Sequence, residues 1–285
     1  MSAAAPTSGE ALADAYERDG FVFPYSVVSK SEAETIRADL EAGEAALADN
    51  PSDLQLLRSY PDRLLPSFDG LIRNPRLLDA ASQILGPDLL VWGAGLFIKE
   101  ANTPNYVSWH QDLNYWGLSD NQKVTAWVAL SPSNVASGCM RFVPGSHKKR
   151  LVKHVDTFAD QNLLSRGQEI AVEVDETSAA EVVLDTGEAS LHHGHLFHAS
   201  GPNATNDRRI GVAIRYIAPS MKQESGDRSL VALVKGEDRF GHFRIEPPPV
   251  GKLLAADFEL CRQDNEIKRR VLYEGAKEQG GKRYR

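Results

Sequence analysis

From Leu89 onward the sequence breaks into short β-type runs, and this succession constrains the fold more than any other feature. The runs are Leu89 to Lys99, Tyr106 to Leu113, Lys123 to Leu130 and Met140 to Val143, then Glu169 to Val174, Glu181 to Leu184, Glu188 to His193 and Arg209 to Ile217. Turn residues such as Ser137-Gly138, Pro144-Gly145, Thr186-Gly187 and Gly201-Pro202 separate many of them. Strands of this length and spacing build a sandwich, jelly roll or barrel. Helical patterns stand on either side. Ala11 to Arg18 and Ser31 to Leu47 read as helices, the second with a capping box of Ser29 and Glu32 and an apolar face of Ala33, Ile36 and Leu40. Between them, Gly20 to Pro24 reads as a short strand, and Leu77 to Leu85 is a third helix stopped by Gly86-Pro87. Asp257 to Lys277 returns to helical composition before a frayed tail, Gly280 to Arg285. The expectation is a mainly β domain with flanking helices: N-terminal helices over about 8–87, a β-core over about 88–220, and a C-terminal segment and helix over about 221–285.

Charge and termini exclude several function classes. The 285 residues include 32 basic and 39 acidic side chains, a net charge of -7, so nothing favours nucleic acid or an anionic membrane surface. Met1 to Glu10 lacks the basic and apolar regions of a signal peptide, and no apolar run could span a bilayer, which places the expected location in the cytosol. Cys139 and Cys261 form no C-x-x-C pattern and suggest neither a disulfide framework nor a thiolate metal site.

On a strand, residues i and i+2 share a face, so His110 and Asp112 in Trp109-His-Gln-Asp-Leu113 could hold one metal together. Imidazole and carboxylate donors suit iron(II), and a set of two histidines and one carboxylate leaves a face open for an oxoacid and oxygen. The third donor must come from elsewhere. With 8 histidines and 39 acidic residues, about one H-x-D/E is expected by chance, and His154-Val-Asp156 is a second candidate. It follows the basic segment Lys148-Lys-Arg150 and reads as a surface connection, so His110 is the better ligand.

The run Trp-His-Gln-Asp-Leu-Asn-Tyr-Trp at 109–116 is followed by Thr-Ala-Trp-Val-Ala-Leu at 125–130 and by Gly-Cys-Met-Arg-Phe-Val-Pro-Gly-Ser-His at 138–147. Then come Gly-Glu-Ala-Ser-Leu-His-His at 187–193, His-Ala-Ser-Gly-Pro-Asn at 198–203 and Arg-Arg-Ile-Gly-Val-Ala-Ile-Arg-Tyr at 208–216. In this order the segments resemble the phytanoyl-CoA dioxygenase family, from about Tyr16 to about Pro247. The resemblance implies a double-stranded β-helix, the cupin-like form of the jelly roll. It also implies iron(II), 2-oxoglutarate and O2, with release of succinate and carbon dioxide. His110 and Asp112 match the family's paired ligands and His198 its distal histidine, chosen among four clustered histidines because Ser200 and Arg209 follow at the family's spacing. Arg209 matches the arginine that grips the far carboxylate of 2-oxoglutarate, and Ser200 and Trp127 match positions beside it. Without the resemblance, Ser200 reads equally well as a turn-capping serine and Trp127 as a core residue. Arg208, adjacent on the strand, is expected to reach solvent. In the related halogenases the position of Asp112 is Gly or Ala, so a carboxylate here implies hydroxylation or another oxygenase outcome such as desaturation.

The substrate is less legible. Arg209, Gly211, Ala213 and Arg215 share strand parity, so Arg215 has two readings, an anchor for an anionic small molecule or a structural ion pair. Asn114, Tyr115, Trp116, Met140 and the segment Asn162 to Arg166 are candidate pocket walls. Two rival functions remain, a cupin-type metalloenzyme that uses no oxoacid and a non-catalytic binding module; the first gives no reason for Arg209, and the second none for keeping the ligands.

Overall fold

Alternation along one strand, Arg209–Ile217, sorts the protein into two faces. Ile210, Val212, Ile214 and Tyr216 point to one side and pack with Leu40, Leu57, Phe68 and Leu77 from the helices. Arg209, Ala213 and Arg215 point to the other and line an internal cavity. Each large apolar side chain so buried contributes about 1.5–3 kcal/mol, so this strand's register is strongly specified.

The computed structural model describes residues 11–273. Six helices precede the β-core: α1 (Leu12–Asp19), α2 (Lys30–Ala46), α3 (Pro51–Ser59), α4 (Pro61–Leu64), α5 (Pro66–Ile72) and α6 (Pro75–Leu85), and α7 (Ala255–Leu272) follows it. The first strands are β1 (Phe21–Ser26), β2 (Leu89–Lys99), β3 (Val107–His110), β4 (Lys123–Ala129), β5 (Met140–Phe142), β6 (His154–Asp156) and β7 (Gln168–Ile170). The remainder are β8 (Ala180–Val182), β9 (Glu188–His193), β10 (His198–Ser200), β11 (Arg209–Ile217), β12 (Leu230–Lys235) and β13 (Arg244–Ile245). A seven-stranded sheet runs β1-β9-β4-β11-β2-β12-β13, a four-stranded sheet runs β3-β10-β5-β8, and β6 pairs with β7. Trp127, Ala129 and Ala213 of the larger sheet pack against Met140, Phe142 and Val182 of the smaller one. The two sheets form the expected jelly-roll core, a double-stranded β-helix with helices against the outer face of the larger sheet.

The capping box of Ser29 and Glu32 forms at the start of α2. The helices α3 to α5 were not anticipated, although Pro51, Pro61 and Pro66 each stand in the first turn, where a missing N–H costs nothing. Strands β6, β10, β12 and β13 were also not anticipated. The run expected to continue to Leu113 stops at His110, and Asp112 to Tyr115 form a 3-10 turn. Helix α7 begins at Ala255, but the expected continuation to Lys277 and the tail Gly280 to Arg285 lie outside the described residues. Among the described residues no helix is long and apolar enough to cross a membrane.

Candidate active site

Strands β3 and β10 are antiparallel neighbours with His110 opposite His198, which brings the two rings to 4.0 Å between centroids. Backbone carbonyls fix both tautomers. His110 Nδ1 lies 2.9 Å from the Ser108 oxygen and 3.1 Å from the His198 oxygen, and His198 Nδ1 lies 3.0 Å from the Leu196 oxygen. Because carbonyls only accept, the protons sit on Nδ1 and both Nε2 lone pairs are left for a shared ligand. Asp112 Oδ1 is 3.7 Å from each Nε2, and the three donor atoms lie within 4.8 Å of one another. Asp112 does not reach this point by strand alternation, as expected from its spacing, but from the first position of the 3-10 turn.

The other carboxylate oxygen is held from behind. Asp112 Oδ2 accepts from Lys123 Nζ at 2.6 Å and Thr125 Oγ1 at 3.1 Å, and lies 3.7 Å from His192 Nε2. Burial pushes the Asp112 carboxyl up, but Lys123 and the surrounding histidines outweigh it and hold the group well below the usual carboxylate range. Burial, together with His110 nearby, pushes His198 well below the ordinary imidazole value. A carboxylate and neutral imidazoles are the protonation states a divalent metal requires. Lys123 itself is pushed down to about 8 by burial, against the pull of Asp112, and lies 4.2 Å from the Trp116 ring centroid.

From these donors an inner cavity runs past Thr125, Trp127, Met140 and Ser200 to Arg209. Arg209 is 1% exposed, gives Nη1 to the Gly138 oxygen at 3.1 Å, and leaves its buried Nε without a partner. Its guanidinium lies 5.1 Å from the Trp127 ring. Gly211 permits this placement, since a Cβ there would come within 1.8 Å of the indole. Opposite Arg209 on β2 stands Lys99, fully buried, with Nζ at 2.7 Å from Ser200 Oγ and 3.2 Å from the same Gly138 oxygen. Neither side chain has a carboxylate partner among the described residues. Burial lowers Arg209 to about 10, and burial with Arg209 alongside lowers Lys99 to about 5.

An outer cavity meets the inner one at Phe97, His110, Asp112 and Arg215. Tyr115, Leu163, Leu164 and Ser165 line it, with Gln55 from α3 and Asn265, Lys268 and Leu272 from α7. Arg215 sits between the cavities with its guanidinium 5.0 Å from the Trp116 ring. Of the expected pocket residues, Tyr115 is in the outer wall and Met140 in the inner one, whereas Asn114 lines neither, and Asn162 is buried with Nδ2 on Ser108 Oγ.

Two further expectations are corrected. Arg208 points out of the barrel but does not end in solvent: it pairs with Glu100 at 2.9 Å, Glu44 at 2.8 Å and Glu41 at 3.4 Å. His154 and Asp156 lie on strand β6, not in a surface connection. His154 Nε2 accepts from the Gln111 N–H at 3.1 Å, bracing the residue between two candidate ligands, and Asp156 pairs with Arg166 and Tyr115. His154→Ala leaves that N–H without its acceptor and is expected to cost about 1–3 kcal/mol, visible as a lower denaturant midpoint with unchanged slope. An unchanged midpoint would remove His154 from the bracing. Lys99, Lys123 and Thr125 were missed altogether. Their only signal is strand parity, since Lys123, Thr125 and Trp127 alternate onto one face of β4.

The phytanoyl-CoA dioxygenase (PhyH) family matches residues 16–211. A probable alpha-ketoglutarate-dependent hypophosphite dioxygenase of Stutzerimonas stutzeri is 27% identical over 192 residues, 66% of this chain and 64% of its own length. An ectoine dioxygenase of Streptomyces anulatus is 28% identical over 225 residues, covering 70% of this chain and 75% of that protein. This chain therefore spans just under two thirds of the hypophosphite relative. Among solved structures, the apo form of the non-haem monooxygenase ThoJ is 34% identical, with a TM-score of 0.84 over 93% of this chain and 98% of that one; its nickel complex is also similar, at 31% and 0.78. With most of its length matched and the His-Asp-His cluster at the centre of the barrel, this chain belongs to the phytanoyl-CoA dioxygenase family of non-haem iron, 2-oxoglutarate-dependent oxygenases.

Proposed function

We propose that His110, Asp112 and His198 bind iron(II), that 2-oxoglutarate binds along the inner cavity with its far carboxylate on Arg209, and that a small molecule entering by the outer cavity is oxidised with release of succinate and carbon dioxide. One observation carries this reading: a buried guanidinium without a carboxylate partner among the described residues, with the Lys99 amine beside it, ends a cavity whose other end is an imidazole and carboxylate donor set. Buried charges are normally paired, so the inner end calls for an anionic ligand. A guanidinium offers a carboxylate two parallel donors, which fixes orientation as well as affinity.

Iron(II) with 2-oxoglutarate, when bound, would use O2 as the oxidant for a C–H bond, one oxygen atom ending in succinate; the residues supply position. Lys123 and Thr125 hold one oxygen of Asp112 so that the other faces the histidines. Trp127 and Met140 wall the inner cavity and keep water from the carboxylate end. The relatives named for hypophosphite and ectoine support a small polar substrate, as does Arg215 at the junction of the cavities. Gln223, Asn265, Lys268 and Leu272 lie beyond the family match, so the outer wall is where substrate choice would be individual to this chain.

The test is conversion of 2-oxoglutarate to succinate that requires both iron(II) and oxygen, followed by metabolite screening with the same readout. Turnover indifferent to 2-oxoglutarate would favour a cupin-type enzyme, and no turnover with any metal would favour a binding module. For the substrate, Arg215→Met is expected to raise the Michaelis constant by about 10–150-fold, the loss of one charge-assisted contact, while that of 2-oxoglutarate changes far less. An equal rise in both constants would place Arg215 on the cosubstrate.

A further inference from the structure

Lys99 has contacts that a permanently charged lysine and a neutral one would satisfy differently. Its Nζ meets three oxygens: Ser200 Oγ, the Gly138 carbonyl and the Gly201 carbonyl. An ammonium has three hydrogens and would donate to all three. A neutral amine has two hydrogens and a lone pair, and only the Ser200 hydroxyl can donate to that lone pair, because carbonyls have no proton to give. The protonation state of Lys99 therefore sets the direction of the Ser200 hydroxyl, and Ser200 lines the inner cavity beside Arg209.

The surroundings favour the neutral amine while the cavity holds no anion. The facing groups are Arg209 across the β2–β11 pair, which shares the Gly138 oxygen with Lys99, and the Cys139 thiol, which burial keeps protonated by pushing it up to about 11. No described carboxylate approaches, and Lys99 is pulled down to about 5 by burial and by Arg209. The cradle is closely packed, since Gly138 has φ +69° and a Cβ there would lie 2.3 Å from the Gly201 oxygen.

We propose that Lys99 takes up a proton from solvent when a carboxylate binds against Arg209 and Ser200, and that this proton turns the Ser200 hydroxyl from the amine toward the ligand. Lys99 is a positioning residue, acting on the cosubstrate through Ser200. The inference rests on the 2-oxoglutarate reading given above. Its linkage has a definite sign. Below pH about 5 the amine is already charged and no proton is taken up. Above that value, and up to the raised value of the complex, binding consumes one proton and the dissociation constant of 2-oxoglutarate rises about tenfold per pH unit.

Calorimetric titration of the iron(II)-loaded protein with 2-oxoglutarate under argon, in buffers of different ionisation enthalpy between pH 6 and 8, counts that proton directly. The wild type is expected to take up close to one proton per ligand. Lys99→Met is expected to take up none and to show a dissociation constant nearly independent of pH. Wild-type binding without proton uptake would overturn the role of Lys99 whatever the variant does, while leaving the 2-oxoglutarate site intact. Uptake that persists in Lys99→Met would assign the proton elsewhere and also overturn it. Absence of any 2-oxoglutarate binding would overturn both this inference and the functional reading beneath it.

Discussion

His198→Ala is expected to weaken iron(II) binding by more than about 100-fold and to abolish turnover while the protein stays folded. Partners outside a metal's own ligands already account for about 10–100-fold in affinity, and His198 would be a ligand itself. The fold should survive because the ring's own bond is a single one to the Leu196 carbonyl, and strand β10 is held by its backbone pairing to β3 and β5. His110→Ala should behave alike. Asp112→Ala should differ in one respect, since it also strips Lys123 of its carboxylate and leaves a buried charge unpaired, at about 3–5 kcal/mol of stability. Asp112→Asn is the gentler variant: its amide oxygen can still accept from Lys123, while its NH2 would then face the imidazoles. Lys123→Met should keep all three donors but lose about 10–100-fold in metal affinity. Anaerobic metal titration with thermal melting separates these outcomes, and near-wild-type iron affinity in His198→Ala would refute the assignment.

The features legible in the sequence were those with a repeating physical signature. Strand β11 was readable end to end because nine residues alternate between a helix-packed apolar face and an interior face, and β2 because its eleven residues are almost wholly apolar. Helix α2 announced itself through its capping box. Strand β10 could not be read as a strand, because three residues, His-Ala-Ser, carry no period; His198 was picked out by its family spacing to Ser200 and Arg209. The partners of the candidate ligands were invisible for a related reason. Lys99 and Lys123 are charged residues at strand ends, where charge ordinarily means solvent, and only the three-dimensional closure of the barrel buries them. Asp112 shows the reverse case: it was placed on the correct side by an incorrect route, since a 3-10 turn returned it to the face that an extended strand would also have given. His154 reads as a surface connection because it follows the basic segment Lys148-Lys-Arg150, and the pairing of β6 with β7 that holds it is formed by two three-residue segments too short to show a period.

Arg209→Ala and Arg208→Ala should dissociate affinity from stability in opposite directions. The two residues are adjacent on β11, so one faces the inner cavity and the other the outer surface of the sheet. On the proposed reading, removing Arg209 would leave the far carboxylate of 2-oxoglutarate without its bidentate partner, a loss of about 3–5 kcal/mol, or a few hundred- to several thousand-fold in affinity. Lys99 cannot substitute, because its three positions are taken by Ser200, Gly138 and Gly201. Without the ligand, however, Arg209 is a buried cation with an unpartnered Nε and no carboxylate partner among the described residues, so its removal should not lower the melting temperature of the ligand-free protein. Arg208 has the opposite profile. It ties β11 to α2 through Glu41 and Glu44 and to the end of β2 through Glu100, and its loss should cost about 1.5–3 kcal/mol of stability while leaving 2-oxoglutarate affinity within a few fold. Anaerobic titration with 2-oxoglutarate and thermal melting of both variants decide the matter: equal losses of affinity, or a larger loss for Arg208→Ala, would mean that the cavity's carboxylate site has been placed on the wrong arginine.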